Sequence, residues 1–142
     1  MSAGAMIYGP LDRLFGTRKW VVATGSAVTA TCFILLGTLD LSLAGAITVM
    51  ALLGGFGMTY GVLMAHGRGF VPDRLLGRGI TLLNVLFIGG AGVLQPLSGA
   101  FMARMAGQPP AETFAALHLS FGLLLVLALL IYLFSRDRRP EF

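Results

Sequence analysis

The sequence predicts an all-α membrane protein with four transmembrane helices, and three observations carry the prediction. First, four long stretches hold no charge: 20 residues between Lys19 and Asp40, 27 between Asp40 and Arg68, 25 between Arg78 and Arg104, and 23 between Glu112 and Arg136. A helix rises about 1.5 Å per residue, so roughly 20 residues cross the roughly 30 Å hydrocarbon core of a bilayer. Lipid offers no partners to backbone N–H and C=O groups, which leaves only helices or closed barrels. These stretches are continuously apolar rather than alternating, and that selects helices. Second, the 142 residues are 56% hydrophobic and 11% charged, where soluble domains hold about 25% charged residues. Third, the basic residues segregate.

Nine of the ten basic residues fall on one side of the predicted spans: Arg13, Arg18, Lys19, Arg68, Arg74, Arg78, Arg136, Arg138 and Arg139. Arg104 alone falls on the other, with Asp40 and Glu112 in the two outer connections. Basic residues accumulate in cytoplasmic loops, so both termini and the middle loop are expected to be cytoplasmic. The expected location is the bacterial cytoplasmic (inner) membrane, with the lipid bilayer as the first partner. The same bias accounts for the pI near 10.0, and no nucleic-acid partner is expected. The single cysteine, Cys32, lies in the first stretch. It reads as a small apolar packing residue, and no disulfide within the chain, metal cluster or cofactor is expected.

The chain divides into residues 1–19, the four-helix region 20–135 and a cytoplasmic tail 136–142. Met1 to Tyr8 is apolar and small, without the positive charge or the length of a signal peptide. It reads either as the last turns of a helix whose beginning lies upstream or as a short tail.

The first span covers about 20–39, with Trp20 at the expected interface, where an indole buries its ring and keeps its N–H wet. Gly25, Ser26, Ala27, Ala30 and Gly37 are small enough to admit a neighbouring helix. The second covers about 43–66 and holds Gly54, Gly55, Gly57 and Gly61, the last two in small-x-x-x-small spacing around Tyr60. His66, beside the basic loop, is expected to face water. The third covers about 80–102 and carries Asn84, the only asparagine, then Gly89-Gly90-Ala91-Gly92 and Gln95-Pro96. Asn84 and Gln95 are separated by about three turns and share a face. An unpaired amide in lipid is costly, so both are expected to meet protein or water, as a cavity face or as an interhelical clamp. Pro96 removes a backbone hydrogen bond and invites a bend. The fourth covers about 113–134 and is mostly Leu, Val, Ile and Ala, with His118 near its outer end. It reads as a lipid-facing outer helix.

The loop before the first span reads Gly9-Pro10-Leu11-Asp12-Arg13-Leu14-Phe15-Gly16-Thr17-Arg18-Lys19. Gly9 and Gly16 permit tight backbone approach at helix ends. Asp12 has the chemistry to accept from a helix N-terminus or to pair with Arg13, Arg18 or Arg74. The pattern at Gly9, Asp12, Arg13, Gly16, Arg18 and Lys19 resembles the signature loop of the major facilitator superfamily (MFS) of secondary transporters. Leu14-Phe15 places one extra residue before Gly16, and Thr17 stands where a basic residue is usual. The stretch from His66 through Arg78 to Asn84 and Gln95 is similar to the approach to the eleventh helix of such transporters. The resemblance implies an MFS-like, partial C-terminal half-bundle whose signature loop gates alternating access.

What the resemblance implies about function is alternating-access secondary transport of a small solute. The chain then corresponds to about the last four helices of a transporter, inactive alone, and its partners are the missing helices or another copy of itself. In that reading Asn84, Gln95 and Tyr60 are the candidates for a cavity, and Gly54, Gly57, Gly61, Gly89 and Gly92 the candidates for helix packing. The alternatives are a small four-helix transporter working as a dimer and a non-transporting membrane subunit. All six acids, Asp12, Asp40, Asp73, Glu112, Asp137 and Glu141, lie outside the spans, which argues against a dimeric exporter driven by a membrane-embedded carboxylate. No grouping of a nucleophile with a base suggests an enzyme.

Overall fold

A computed structural model describes residues 14–137. Gly9, Asp12 and Arg13 of the signature-like loop lie outside the described residues. Among the described residues the chain forms five α-helices and no strand: α1 (Lys19–Thr38), α2 (Leu43–Phe56), α3 (Tyr60–Arg68), α4 (Leu76–Arg104) and α5 (Pro110–Leu133). A 3-10 turn, Asp73–Leu75, leads into α4. Together they give four segments long and apolar enough to cross a membrane: Lys19–Thr38, Leu43–Arg68, Asp73–Arg104 and Pro110–Leu133.

The second segment is the single span expected, but it is built of two helices rather than one continuous helix. The N–H of Gly57 closes α2 on the carbonyl of Leu53 at 2.9 Å, and the ladder resumes where the N–H of Leu63 reaches Thr59. Gly54, Gly55 and Gly57 precede the break, and each glycine costs about 1 kcal/mol of helix propensity relative to alanine. Packing fixes the break in place: Met58, inside it, lies against the core cluster of Val21, Val22 and Val62. The other helix ends follow local chemistry. Ser42 caps α2 by accepting from the N–H of Gly45 at 3.2 Å. Pro110 opens α5 at the position where its missing N–H costs nothing. α4 runs unbroken through Pro96.

α1 is the organising helix. Val21, Val22, Ala23, Gly25, Thr29, Ala30 and Cys32 are buried on it, more than on any other helix described. Its most extensive partner is α5, followed by α2 and then α3. Two glycines set the α1–α5 seam. A Cβ on Gly37 would lie 2.8 Å from the carbonyl oxygen of Ala115 and 2.8 Å from the nitrogen of Leu119. A Cβ on Gly122 would lie 2.9 Å from the Ile34 side chain and 3.2 Å from its backbone nitrogen. The backbones therefore approach too closely for any side chain, which is how small residues promote helix association in lipid. The opposite face of α5, with Leu123, Leu127, Leu130 and Ile131 exposed, is the apolar outer surface.

α4 stands at the other extreme. None of its residues is buried. It touches α3, the 3-10 turn and α5, and these contacts are slight beside the α1–α5 seam. Gly54, Gly61, Gly89 and Gly92 have nothing within 4 Å of a Cβ position, so within this chain they seat no neighbouring helix. Gly57 is crowded only by the carbonyl of Leu53, at the end of its own helix. Of the glycines expected to admit a neighbour, Gly37 does so within this chain, while Gly54, Gly57, Gly61, Gly89 and Gly92 meet no other helix among the described residues. The difference lies in what stands opposite each glycine, which spacing along one helix does not encode.

Candidate functional site

The densest polar constellation lies at the basic end, where α1 begins and α3 and α5 finish. Gly16 makes the entry turn at φ +60°, a conformation that favours glycine. The N-cap position of α1 is Arg18, which supplies no side-chain cap. The cap comes instead from the far end of the chain. The Asp137 carboxylate accepts from the Lys19 N–H at 3.1 Å and from the Thr17 hydroxyl at 2.5 Å. In return the Lys19 ammonium donates to the carbonyl of Leu133, in the last turn of α5, at 2.7 Å. Its charge also stands 5.6 Å from the Trp20 ring centroid. Each helix thus receives the charge its dipole favours: an anion at the start of α1 and a cation at the end of α5. Partial burial pushes the Asp137 carboxyl up. The hydrogen bonds from Thr17 and from the Lys19 and Arg18 backbones, with the charge of His66, outweigh it and hold the group below its ordinary value.

His66 lies beneath this clamp and is only 2% exposed. Its expected contact with water is therefore corrected. Nε2 donates to the carbonyl of Arg136 at 2.9 Å, since a carbonyl can only accept. Nδ1 pairs with the Tyr132 hydroxyl at 2.6 Å. Phe70 and Tyr132 meet the ring edge-on, with centroids at 5.2 and 5.5 Å. Burial of the imidazole is tolerated because both nitrogens are satisfied. The cluster joins α1, α3, α5 and the tail through side chains separated by as many as 120 residues.

A second, smaller pair involves two of the three cavity candidates. The Tyr60 hydroxyl donates to Oδ1 of Asn84 at 2.8 Å, and its ring lies 4.3 Å from that of Phe87. Gln95 does not join them. Eleven residues further along α4, it sits about 16 Å away along the axis, and its side chain is exposed without a described partner. Asn84 and Gln95 share a face, but α3 accompanies only the first part of it. His118, at the outer end, bonds the carbonyl of Phe114 in its own helix at 2.7 Å.

Of the signature-like loop, Gly16, Arg18 and Lys19 are described. Gly16 supplies the turn, Lys19 the reciprocal cap, and Arg18 a wall of a cavity at the basic end. Sequence reasoning missed Asp137, Thr17, Tyr132 and the burial of His66. The available signal was Asp137 itself, an acid set among Arg136, Arg138 and Arg139 just past the last span. Set beside known proteins, the chain matches no family model, no curated protein and no solved structure.

Proposed function

We propose that this chain is the C-terminal four-helix portion of a secondary transporter of the major facilitator type, inactive without its upstream helices. The observation that carries the reading is Gln95. An exposed amide in the middle of a long apolar helix needs water or another protein surface at that depth, because lipid satisfies neither its donors nor its acceptor. A transport cavity between two half-bundles supplies both. The basic-end clamp supports the reading from the other side. Capping of α1 by Asp137 is a hold that a moving bundle can keep in one conformation and release in another. In this proposal the basic end faces the cytoplasm of a bacterial cell, both termini lie inside, and the substrate is a small solute. A non-transporting subunit that covers α4 with a partner is the second reading, favoured by the same unburied helix.

Thiol labelling tests the proposal in a Cys32→Ser background. Hydrophilic methanethiosulfonates react with wet thiols and not with lipid-facing ones, because the thiolate is the nucleophile. Gln95→Cys, in the chain restored with its upstream helices, is expected to label at least about tenfold faster than Ile88→Cys, given that dependence on the thiolate. Equal, slow labelling of both would remove the cavity. Gly77→Cys is expected to resist an impermeant maleimide applied to intact cells, and its labelling there would reverse the topology. Fast labelling of Gln95→Cys in the chain without its upstream helices, quenched by those helices, would favour the subunit reading.

A further inference from the structure

A cavity of about 730 Å³ opens at the basic end between the start of α1, the end of α3 and the start of α4. It adjoins the Asp137 clamp through Arg18 and is separate from the Tyr60–Asn84 pair. Arg18, Arg68 and Asp73 form its charged walls, and Met64, Val71 and Ile80 its apolar ones. The chain direction orders these walls by depth. α3 runs towards the basic end, so Met64 lies one turn deeper than Arg68. α4 runs away from it, so Ile80 lies one turn deeper than Leu76. Arg18 precedes the first residue of α1 and sits at the rim. On the α3 wall the charge of Arg68 gives way to the Met64 side chain within one helical turn, and Val71, Pro72 and Leu76 line the rim beside the charges. Charged and apolar groups thus adjoin as they do where a lipid headgroup meets its acyl chains.

Among the described residues the walls carry two guanidinium groups, on Arg18 and Arg68, and one carboxylate, on Asp73. The Arg68 guanidinium is exposed and makes no hydrogen bond or ion pair with another described residue. Arg74 and Arg78, both exposed, follow on the adjoining turn and at the start of α4. Guanidinium matches phosphate oxygens in a bidentate fork. A cavity of several hundred cubic ångströms suits a glycerophosphate headgroup better than a bare ion. We infer that this cavity is a binding site for an anionic phospholipid, with the headgroup phosphate held by Arg68 and Arg18 and the upper acyl chains laid against Met64 and Ile80. Basic recesses between helices at the membrane surface hold anionic headgroups by this chemistry. The inference does not depend on the transport reading.

Native mass spectrometry of the full chain in detergent, with equimolar phosphatidylglycerol and phosphatidylcholine, tests it. Each arginine near the surface contributes about 1 kcal/mol, and Asp73 offsets one, so phosphatidylglycerol is expected to be retained about fivefold over phosphatidylcholine. Arg68→Gln is expected to bring the ratio to about one. Arg68→Lys keeps the charge and most of the preference, and Arg104→Gln, at the other end, leaves it unchanged. Millimolar inorganic phosphate is expected not to displace the lipid. Equal retention of both lipids by the unsubstituted chain would overturn the site, and that comparison holds whether or not a variant folds. An unchanged ratio in a helical Arg68→Gln protein would overturn it too. Displacement by phosphate would assign the cavity to a soluble anion and end the lipid inference.

Discussion

α1 and α4 are both apolar, both rich in small residues and both long enough to span a membrane, yet they occupy opposite roles. α1 buries seven residues and is gripped on several sides, while α4 buries none. The glycines show why. Gly37 faces the backbone of α5, and the interhelical distance there leaves no room for a methyl group. Gly89, Gly90 and Gly92 face open space. A small residue is a packing device only when another backbone stands opposite it. Glycine density therefore identifies helices able to pack closely, not helices that do.

The sharpest way to break this comparison is to place the same methyl group on both helices. Gly37→Ala puts a Cβ against two backbone atoms of α5, neither of which can rotate away. The expected loss is about 1–3 kcal/mol, the usual cost of overpacking. Gly90→Ala has open space and is expected to be neutral, or to gain up to about 1 kcal/mol of helix propensity. Unfolding in mixed micelles, followed by helical circular dichroism, reads both. A Gly90→Ala chain that loses as much as Gly37→Ala would mean that α4 is as tightly packed as α1.

The next effect lies where α1, α3 and α5 converge. His66→Leu removes the partner of the Tyr132 hydroxyl and of the Arg136 carbonyl together. Leaving such groups unsatisfied costs about 1–3 kcal/mol, towards the lower end here because hydrogen bonds near lipid average about 0.6 kcal/mol. His66→Gln, which keeps a donor and an acceptor, is expected to recover part of the loss. Equal unfolding midpoints for both variants would mean that the imidazole serves only as volume.

Asp137→Asn is expected to cost about 0.5–1 kcal/mol, as removal of a helix N-cap does. Its pH dependence has a definite sign. The folded-state carboxyl lies below its ordinary value of 3.8. The clamp's contribution is therefore complete above that pH and is lost only as the pH falls further, through the lowered folded value. Amide exchange at Lys19 reports it, with protection that is flat from neutrality down to the ordinary carboxylate range and falls below it. Loss of protection already near neutrality would show that another group controls the cap. The smallest effect is expected from Tyr60→Phe, which removes one exposed hydrogen bond to Asn84, worth about 0.6 kcal/mol.

The sequence by itself determined the number of long apolar segments, their approximate limits and the concentration of basic residues at one end. Each of these follows from composition along a single helix: about 20 uncharged residues are long enough to span whatever their neighbours do. It also singled out Asn84 as an amide in need of a partner and Tyr60 as a cavity candidate, though not that the two would pair. Tertiary structure alone decided which glycines touch, where the second segment breaks, and that His66 is sealed rather than wet. It alone decided that Asp137 caps a helix that begins 118 residues earlier in the chain. Those outcomes depend on which backbone stands opposite a given residue. Lipid is as apolar as the helix surfaces it covers, so hydrophobic pattern does not choose between a lipid and a helix neighbour. The choice falls to shape at Gly37 and Gly122 and to the pairing of polar groups at the basic end, and both exist only once the helices are side by side.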